Sequence, residues 1–353
     1  MQKPLIQRRR TWQRGRVIVS LVMLFSFLLT GCTGQIPPVP VLLKASESFS
    51  VNIQDTYRNQ VAGTDPVLSF PAAARCVPTA QDEAQAEWPV NAAFLFNLTD
   101  GKVLFTQNCY DKVYPASTTK LLTAFCLLSY VKEQGIPLSE TYVIQEDNCG
   151  ITRVGAKLFG FQKGDVVSLE LLLNALLVYS ANDAAIAIME YIAAHSGVAY
   201  EEAVDAMNTT AARIGATHTH FTNPHGLHES EHKTTAYDLY LIFMACMDYG
   251  EFLPIVMQPS YLAQYTGADG GAKEKMLEST NQYFLGLYTP PNGVEVYGGK
   301  TGSTGVAGDC FVMLSESGGK RYLSAVFGAS SYENLYQRMN VLLEMELSDD
   351  MKK

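Results

Sequence analysis

Three short patterns in this chain contain residues that could open an amide bond. They are Ser117-Thr-Thr-Lys120, Ser180-Ala-Asn182 and Lys300-Thr301-Gly302, in that order along the chain. Together they supply a serine nucleophile, a lysine three residues away to take its proton, a second hydroxyl beside an amide, and a cation beside a backbone edge. Acyl transfer through a covalent serine intermediate requires these groups.

The context of Ser117 distinguishes it from the other Ser-x-x-Lys matches. Pro115 precedes it and residues 121–128 form an apolar run, so we predict that Ser117 begins a helix over about 116–132. Lys120 would share its helix face, and burial would lower the pKa of this lysine toward that of a base. The other matches are typical of a helix C-terminus, a polar loop and a hairpin turn: Ser129/Lys132, Ser230/Lys233 and Ser317/Lys320.

The second and third patterns lie at predicted element boundaries. Ser180-Ala-Asn182 separates two apolar, helix-like segments, 169–179 and 183–196, which predicts a corner whose side chains project into a cleft. A helix N-cap at Asn182 or Asp183 would explain the pattern equally well. Lys-Thr-Gly follows a strand-like alternation and Gly298-Gly299, where a ligand backbone could approach closely. A glycine-rich turn is the alternative.

The surrounding elements predict an α+β fold. Residues 92–98 and 102–106 flank Asp100-Gly101, a strong hairpin signal, and residues 150–250 are mainly helical in pattern. The first and last strands would share an antiparallel sheet with helices packed on it, and the active site would lie between this sheet and a helical lobe. The later elements are predicted as strands at 294–300, 309–315 and 322–328 and a closing helix at 331–347.

Residues from about 88 to 347 resemble the serine-type D-alanyl-D-alanine carboxypeptidases, the low-molecular-mass penicillin-binding proteins. Besides the three patterns, the hairpin at 92–105, the segment 115–124 and Thr222-Asn-Pro-His-Gly-Leu227 with 234–238 resemble segments of that family. The resemblance implies a penicillin-binding protein or β-lactamase-like fold and no metal or organic cofactor. Many members continue into a C-terminal β domain and an amphipathic anchor, whereas only a short polar tail is expected here.

The resemblance also implies roles for individual residues. Ser117 would attack the penultimate D-Ala carbonyl of a peptidoglycan stem peptide, with Lys120 as its base. Ser180, linked to Lys120 and Lys300, would protonate the leaving D-Ala. The N–H groups of Ser117 and Ser303 would form the oxyanion hole, and β-lactams would acylate Ser117. The implied substrate-binding residues are Asn182, Lys300, Thr301, Gly302 and Ser303.

Four other functions remain open from the sequence. The same constellation serves D,D-transpeptidases and β-lactamases, and a penicillin-acylated sensor would also use it. Glu170-Leu-Leu-Leu-Asn174 resembles the deacylation element of class A β-lactamases, but it precedes Ser180 instead of following it, so fast penicillin hydrolysis is not expected. His228-Glu-Ser-Glu-His232 matches the zinc-peptidase pattern, yet its polar surroundings are typical of a solvent-exposed loop.

The N-terminus has the pattern of a bacterial lipoprotein signal. Five arginines precede an apolar run at 17–29 that ends in Leu29-Thr-Gly-Cys32, which resembles a lipobox. We therefore predict a signal peptide at 1–31, lipidation at Cys32, a tether over 32–86, a catalytic domain at 87–347 and a polar tail at 348–353. The alternative is an uncleaved signal anchor with Cys32 as an ordinary thiol. Both place the catalytic part outside the cytoplasm, tethered to the membrane.

Composition narrows the class of protein further. The 353 residues are 47% hydrophobic and 17% charged, which fits a globular protein with a full core. The net charge of −9 argues against a nucleic-acid partner. Seven cysteines are present, and the six besides Cys32 make disulfides possible outside the cytoplasm. No pairing is assigned, because Cys126 and Cys246 lie in apolar helical runs where buried free thiols are common.

Overall fold

The computed structural model describes residues 76–84 and 87–350. The predicted signal peptide, the lipidation site at Cys32, most of the tether and the end of the polar tail lie outside the described residues. Within them, no helix combines the length and apolar character needed to cross a membrane. Residues 76–84 pack on the folded domain ahead of the predicted boundary at 87: Cys76 is buried, and its N–H donates to the Tyr240 hydroxyl at 3.0 Å.

A five-stranded antiparallel sheet forms the centre of the fold, with the order β2-β1-β11-β10-β9. The first and last strands of the chain therefore share one sheet, as predicted. Every residue of β1 is buried, because the sheet is covered on both faces. The strands are β1 (Ala92–Asn97), β2 (Lys102–Gln107), β9 (Val294–Thr304), β10 (Gly308–Ser317) and β11 (Lys320–Ala329).

Helices cover the two faces of this sheet. The last helix, α7 (Tyr332–Asp350), buries Leu335, Tyr336 and Met339 against strands β10 and β11. On the other face the ring of Tyr240 meets the ring of Phe96 edge-on, with centroids 4.9 Å apart. The remaining helices are α1 (Lys120–Gln134), α2 (Leu169–Leu177), α3 (Asn182–Ser196), α4 (Tyr200–Arg213), α5 (Ala236–Met247) and α6 (Phe252–Val256).

Helix α1 is the central helix of the helical lobe. Its residues from Lys120 to Val131 are all buried, and it packs against α2, α3, α4 and α5. A helix that is apolar on every side belongs in the core of a protein rather than on its surface. It ends at Gly135, whose φ of +65° forms a left-handed cap. The α+β architecture predicted from the sequence is thereby confirmed.

Two smaller sheets were not predicted. A four-stranded sheet has the order β4-β5-β7-β8, and a two-stranded sheet pairs β3 with β6. Strand β8 has the sequence AKEKMLE, in which the charged residues obscure the alternation of apolar and polar side chains that identifies a strand. These strands are β3 (Lys112–Val113), β4 (Thr141–Val143), β5 (Val166–Ser168), β6 (Thr234–Thr235), β7 (Ser260–Thr266) and β8 (Ala272–Glu278).

Candidate active site

Ser117 lies in a tight turn immediately before α1. The turn, Ala116–Thr119, is a 3-10 helix, where the sequence predicted the first turn of an α-helix. Pro115 begins it, and the Thr118 hydroxyl donates to the Pro115 carbonyl at 2.7 Å. Ala116 has a φ of +48°, which is an unfavourable conformation for a residue with a Cβ. The nucleophile therefore follows a strained residue that the surrounding structure must hold in place.

Lys120 is fully buried and directs its side chain at three oxygen atoms. Its Nζ lies 2.9 Å from the Ser117 Oγ, 2.7 Å from the Asn182 Oδ1 and 2.8 Å from the His225 carbonyl oxygen. The first contact follows from the three-residue spacing, which places both residues on one side of the turn. The other two come from distant parts of the chain, so they fix the lysine in space.

Burial lowers the pKa of Lys120 to about 7, because desolvation disfavours the charged ammonium. The negative charge of Asp183 opposes this shift, and the positive charge of Lys157 adds to it. A lysine with this pKa is partly neutral near pH 7. It can therefore accept the proton of Ser117, which a lysine with an ordinary pKa could not do efficiently.

Ser180 and Asn182 lie at the corner between α2 and α3, as predicted. Ser180 has a φ of +68°, and Asn182 is the first residue of α3. The N-cap residue is Ala181, which makes no side-chain cap, so helix capping does not explain this motif. Asp183 instead accepts hydrogen bonds from the backbone N–H groups of Phe159, Gly160, Phe161 and Ala184 and so fixes the adjacent loop.

Lys300 reaches this corner from strand β9. Its Nζ donates to the Ser180 Oγ at 2.9 Å and to the Thr301 carbonyl at 2.8 Å. Burial lowers its pKa well below the ordinary range, and the charges of Lys120 and Lys157 lower it further. The expected link between Ser180 and Lys120 is not among the hydrogen bonds of the described residues, because the contacts of Lys120 go to other oxygens.

The third motif lies within an edge strand, not in a glycine-rich turn. Strand β9 ends the order of the central sheet, and no described strand pairs with its outer edge. A Cβ at Gly302 would lie 2.8 Å from the Ser117 nitrogen and 2.9 Å from the Pro115 carbonyl oxygen. The glycine is therefore needed for close packing of β9 on the nucleophile turn. Ser303 follows it at an exposed position, paired with Asp309 of β10.

The role expected for the preceding glycines was wrong. Gly298 and Gly299 do not leave space for a ligand, because a Cβ would lie 2.1 Å from the Val256 carbonyl oxygen and 2.0 Å from the Val312 carbonyl oxygen, respectively. Neighbouring protein backbone fills that space. These two glycines therefore serve the packing of β9 against α6 and β10.

The segment Thr222-Asn-Pro-His-Gly-Leu227 braces the start of α1, a role that the sequence did not reveal. The carbonyl oxygens of Pro224 and His225 accept hydrogen bonds from Thr123 and Lys120. Gly226 lies so near the Ala116 carbonyl that a Cβ there would be 1.9 Å from its oxygen. Backbone groups form these contacts, so residue types alone carried little signal for them.

The zinc-peptidase pattern adopts a geometry unlike that of a metal-binding helix. His228-Glu-Ser-Glu-His232 forms a loop, so no helix presents both imidazoles on one face. The expectation of an exposed loop was wrong for His232, which is only 1% exposed. Its two ring nitrogens already face the Thr222 N–H at 3.0 Å and the Thr119 Oγ1 at 2.8 Å.

The segment Glu170-Leu-Leu-Leu-Asn174, which resembles the β-lactamase deacylation element, forms a turn of helix α2. Glu170 is exposed on α2, and its carbonyl accepts a hydrogen bond from the Asn174 side chain at 2.9 Å. No hydrogen bond of the described residues joins Glu170 to Ser117. The described cysteines are all free and buried, which agrees with the prediction for Cys126 and Cys246.

Comparisons with known proteins agree with this geometry. Residues 79–331 match a family model described as D-alanyl-D-alanine carboxypeptidase. Similar curated proteins include the D-alanyl-D-alanine carboxypeptidase DacF of Bacillus subtilis, 26% identical, with 80% of this chain and 68% of that protein covered. DacB2 of Mycobacterium tuberculosis is 31% identical, with coverages of 67% and 74%. DacC of Escherichia coli is 28% identical, and the chain spans only 56% of its length.

Solved structures share the fold. A mutant of the Streptomyces K15 DD-transpeptidase superposes with a TM-score of 0.66 at 23% identity, covering 75% of this chain and all of that one. Penicillin-Binding Protein D2 of Listeria monocytogenes, in a cefotaxime-bound form, superposes with a TM-score of 0.60 at 27% identity, with coverages of 74% and 99%. The resemblance seen in the motifs is confirmed: this chain belongs to the D-alanyl-D-alanine carboxypeptidase family of serine peptidases.

Proposed function

We propose that this protein removes the terminal D-Ala from peptidoglycan stem peptides through an acyl-enzyme on Ser117. The observation that carries the proposal is the 2.9 Å contact between the Ser117 Oγ and the Nζ of a fully buried lysine whose pKa lies at about 7. A serine is a weak nucleophile until a neighbouring base takes its proton. This geometry places such a base within hydrogen-bond distance of the serine.

Acylation begins when neutral Lys120 takes the Ser117 proton and the Oγ attacks the carbonyl carbon of the penultimate D-Ala. The N–H groups of Ser117 and Ser303 hold the resulting oxyanion, and collapse of this intermediate breaks the C–N bond. Ser180, hydrogen-bonded to Lys300, gives a proton to the leaving nitrogen. The proton held by Lys120 then passes to the Ser180 Oγ, which requires the two side chains to approach each other during turnover, because no hydrogen bond of the described residues joins them. The net proton transfer thus runs from Ser117 to D-Ala.

Substrate binding follows from the groups around the nucleophile. Lys300 and Thr301 provide a cation and a hydroxyl for the terminal carboxylate, and the outer edge of β9 offers backbone groups to an extended peptide. The Asn182 Oδ1 is held by Lys120, which orients the Nδ2 donors toward a substrate carbonyl. Water then attacks the acyl-enzyme, with Lys120 again as base, and releases the shortened peptide.

Intact-mass spectrometry after incubation with penicillin tests the nucleophile. We expect a mass increase of one whole drug molecule that maps to Ser117 and is absent in Ser117→Ala. The cefotaxime-bound form of the Listeria relative supports this expectation for β-lactams. Labelling that survives Ser117→Ala would refute the assignment. Because Glu170 lies exposed on α2, we expect slow release of the adduct rather than sustained penicillin hydrolysis.

A product assay distinguishes hydrolysis from peptide transfer. With a pentapeptide and an amine acceptor, a carboxypeptidase releases D-Ala and the tetrapeptide, whereas a transpeptidase releases D-Ala and a cross-linked product. We expect the tetrapeptide to dominate. Stable acylation by penicillin with no D-Ala release from any peptide would support a sensor instead.

We further infer that the protein acts outside the cytoplasm, anchored to the bacterial membrane by lipid on Cys32. The basic residues, the apolar run and the Leu-Thr-Gly-Cys sequence support this inference. Several acyl chains on one cysteine suffice for stable anchoring. Fractionation and mass spectrometry of the N-terminal peptide test it: lipid on Cys32 is expected in the membrane fraction, and loss of membrane association is expected for Cys32→Ala. An unmodified Cys32 in a membrane-bound chain would instead indicate a signal anchor.

A further inference from the structure

His232 is a buried titratable residue that the proposed reaction does not use. It lies beyond the segment that braces α1, is 1% exposed, and stacks on Phe221 with the two rings 4.7 Å apart and 12° from parallel. Both of its ring nitrogens have protein partners. The Thr222 N–H lies 3.0 Å from Nδ1, and the Thr119 Oγ1 lies 2.8 Å from Nε2.

The partners of His232 determine where its proton resides. A backbone N–H can only donate, so the Thr222 N–H requires a lone pair on Nδ1. The proton of the neutral ring is therefore on Nε2 and is donated to the Thr119 Oγ1. Burial lowers the pKa of His232 to about 3, so the ring stays neutral near pH 7.

The hydroxyl of Thr119 extends this chain of hydrogen bonds to the nucleophile turn. Because Thr119 accepts from His232, its own proton is free to be donated to the Ala116 carbonyl oxygen, 2.8 Å away. Ala116 is the residue with a φ of +48°. Gly226 packs against the same oxygen, since a Cβ at Gly226 would lie 1.9 Å from it. A hydrogen bond and close packing thus both restrain the Ala116 carbonyl.

Fixing this carbonyl also fixes the N–H group of Ser117. The two groups belong to one peptide unit, which is planar and trans, so the N–H points opposite to the C=O. Any rotation of the Ala116 carbonyl would turn the Ser117 N–H away by the same angle. In the proposed mechanism that N–H is one of the two donors of the oxyanion hole.

We propose that His232 is a positioning residue that aims the Ser117 N–H into the oxyanion hole, through the Thr119 hydroxyl and the Ala116 carbonyl. The inference rests on the proposed function for its consequence, since an oxyanion donor matters only if Ser117 is acylated. His232 itself does not touch the substrate. It acts on the transition state alone, so its loss lowers kcat and the acylation rate constant while leaving KM nearly unchanged.

Two matched pairs of variants test the chain of hydrogen bonds. Thr119→Val removes the hydroxyl and keeps the shape, whereas Thr119→Ser keeps the hydroxyl. His232→Asn keeps an acceptor near the Nδ1 position and loses the donor to Thr119, whereas His232→Gln keeps a donor that reaches the Nε2 position. Removing an oxyanion donor outright lowers the rate on the order of a hundred- to a thousand-fold. In these variants the Ser117 N–H remains but can turn away from the oxyanion, so we expect the rate to fall by about tenfold to hundredfold.

The measurements are the rate constant for penicillin acylation, kcat and KM for D-Ala release, the Ki of a D-Ala-derived boronic acid, and the thermal midpoint. We expect Thr119→Val and His232→Asn to slow acylation, lower kcat and weaken the boronic acid, with KM within about twofold. Thr119→Ser and His232→Gln should recover most of the lost rate. The double variant Thr119→Val with His232→Asn should be no slower than the worse single variant, because both break one chain.

Wild-type rates in Thr119→Val, or losses that multiply in the double variant, would overturn the positioning role. A drop in thermal midpoint that tracks the loss of rate from one variant to the next would reduce His232 to a structural residue. The ¹⁵N shifts of His232 give a readout independent of activity: a proton on Nδ1 overturns the chain of hydrogen bonds even if every variant behaves as expected. If wild-type protein is not acylated at all, the proposed function fails, and the tautomer measurement still decides the hydrogen bonding.

Discussion

Lowering the pH should switch off acylation of Ser117 by protonating Lys120. Burial holds the pKa of this lysine at about 7, and only the neutral amine has a lone pair for the Ser117 proton. Below this pKa the base is charged and inactive, and above it the base is ready. The acylation rate constant should therefore rise tenfold per pH unit up to about pH 7 and then level off.

The size of the effect follows from the fraction of neutral lysine. At pH 7 a pKa of about 7 leaves roughly half of Lys120 neutral, whereas the ordinary value of 10.5 would leave only about 3 molecules in 10,000, a difference of about 1,500-fold. Between pH 7 and pH 5 the neutral fraction falls by about 50-fold. Burial of one side chain thus accounts for about three orders of magnitude in available base at pH 7.

Stopped-flow acylation by a fluorescent penicillin between pH 5 and pH 9 measures this profile. Two variants test whether the profile shifts along the pH axis in the direction expected for Lys120. Asp183→Asn removes a charge that raises the pKa of Lys120, so the rising limb should move to lower pH. Lys157→Met removes a charge that lowers this pKa, so the limb should move to higher pH. A flat profile, or a limb that both variants shift in one direction, would refute Lys120 as the base.

Three further predictions concern other parts of the protein. Gly226→Ala should lower both the thermal midpoint and the acylation rate, because φ is +85° and the new Cβ would lie 1.9 Å from the Ala116 carbonyl oxygen. In the control Gly135→Ala no atom lies within 4 Å of the new Cβ, so calorimetry should show a loss of only about 1–2 kcal/mol in the free energy of unfolding, and equal losses in the two variants would contradict the close packing at Gly226. Binding of a carboxylate ligand should be accompanied by proton uptake at pH values above the lowered pKa of Lys300, because the negative charge raises that pKa. Titration calorimetry over a range of pH, in buffers of different ionisation enthalpy, measures the uptake. No uptake at any pH, or an uptake that is unchanged in Lys300→Gln, would contradict it. Thiol reagents should leave the native domain unmodified, because burial raises the pKa of thiols such as Cys126 and Cys310 to about 12; reaction before unfolding would contradict their burial.

The parts of the site that local spacing controls were predicted from the sequence. Ser117 and Lys120 are three residues apart on one turn, so their contact requires no knowledge of the rest of the fold. The corner at Ser180 was visible because apolar helical patterns flank it. The strands of the central sheet were predicted because long apolar segments alternate with turn residues such as Asp100-Gly101.

The errors share a physical cause, which is dependence on distant neighbours. Gly298 and Gly299 were taken for ligand-facing glycines, but carbonyl groups of α6 and β10 occupy the space beside them. His232 was placed in an exposed loop because its sequence neighbours are polar, although its side chain is buried against Phe221. Strands β7 and β8 escaped prediction because most of their side chains are charged or exposed.

The sequence by itself determined the chemical groups of this protein, their order, and the contact within the nucleophile turn, because those depend on residue type and on the geometry of a few consecutive residues. Only the tertiary structure determined which of these groups act as bases and which hold other groups in position. The pKa of Lys120 depends on the water excluded by four packed helices, and the aim of the Ser117 N–H depends on contacts from a segment more than 100 residues away. Desolvation and long-range hydrogen bonds are properties of the packed chain, so no local pattern carries them.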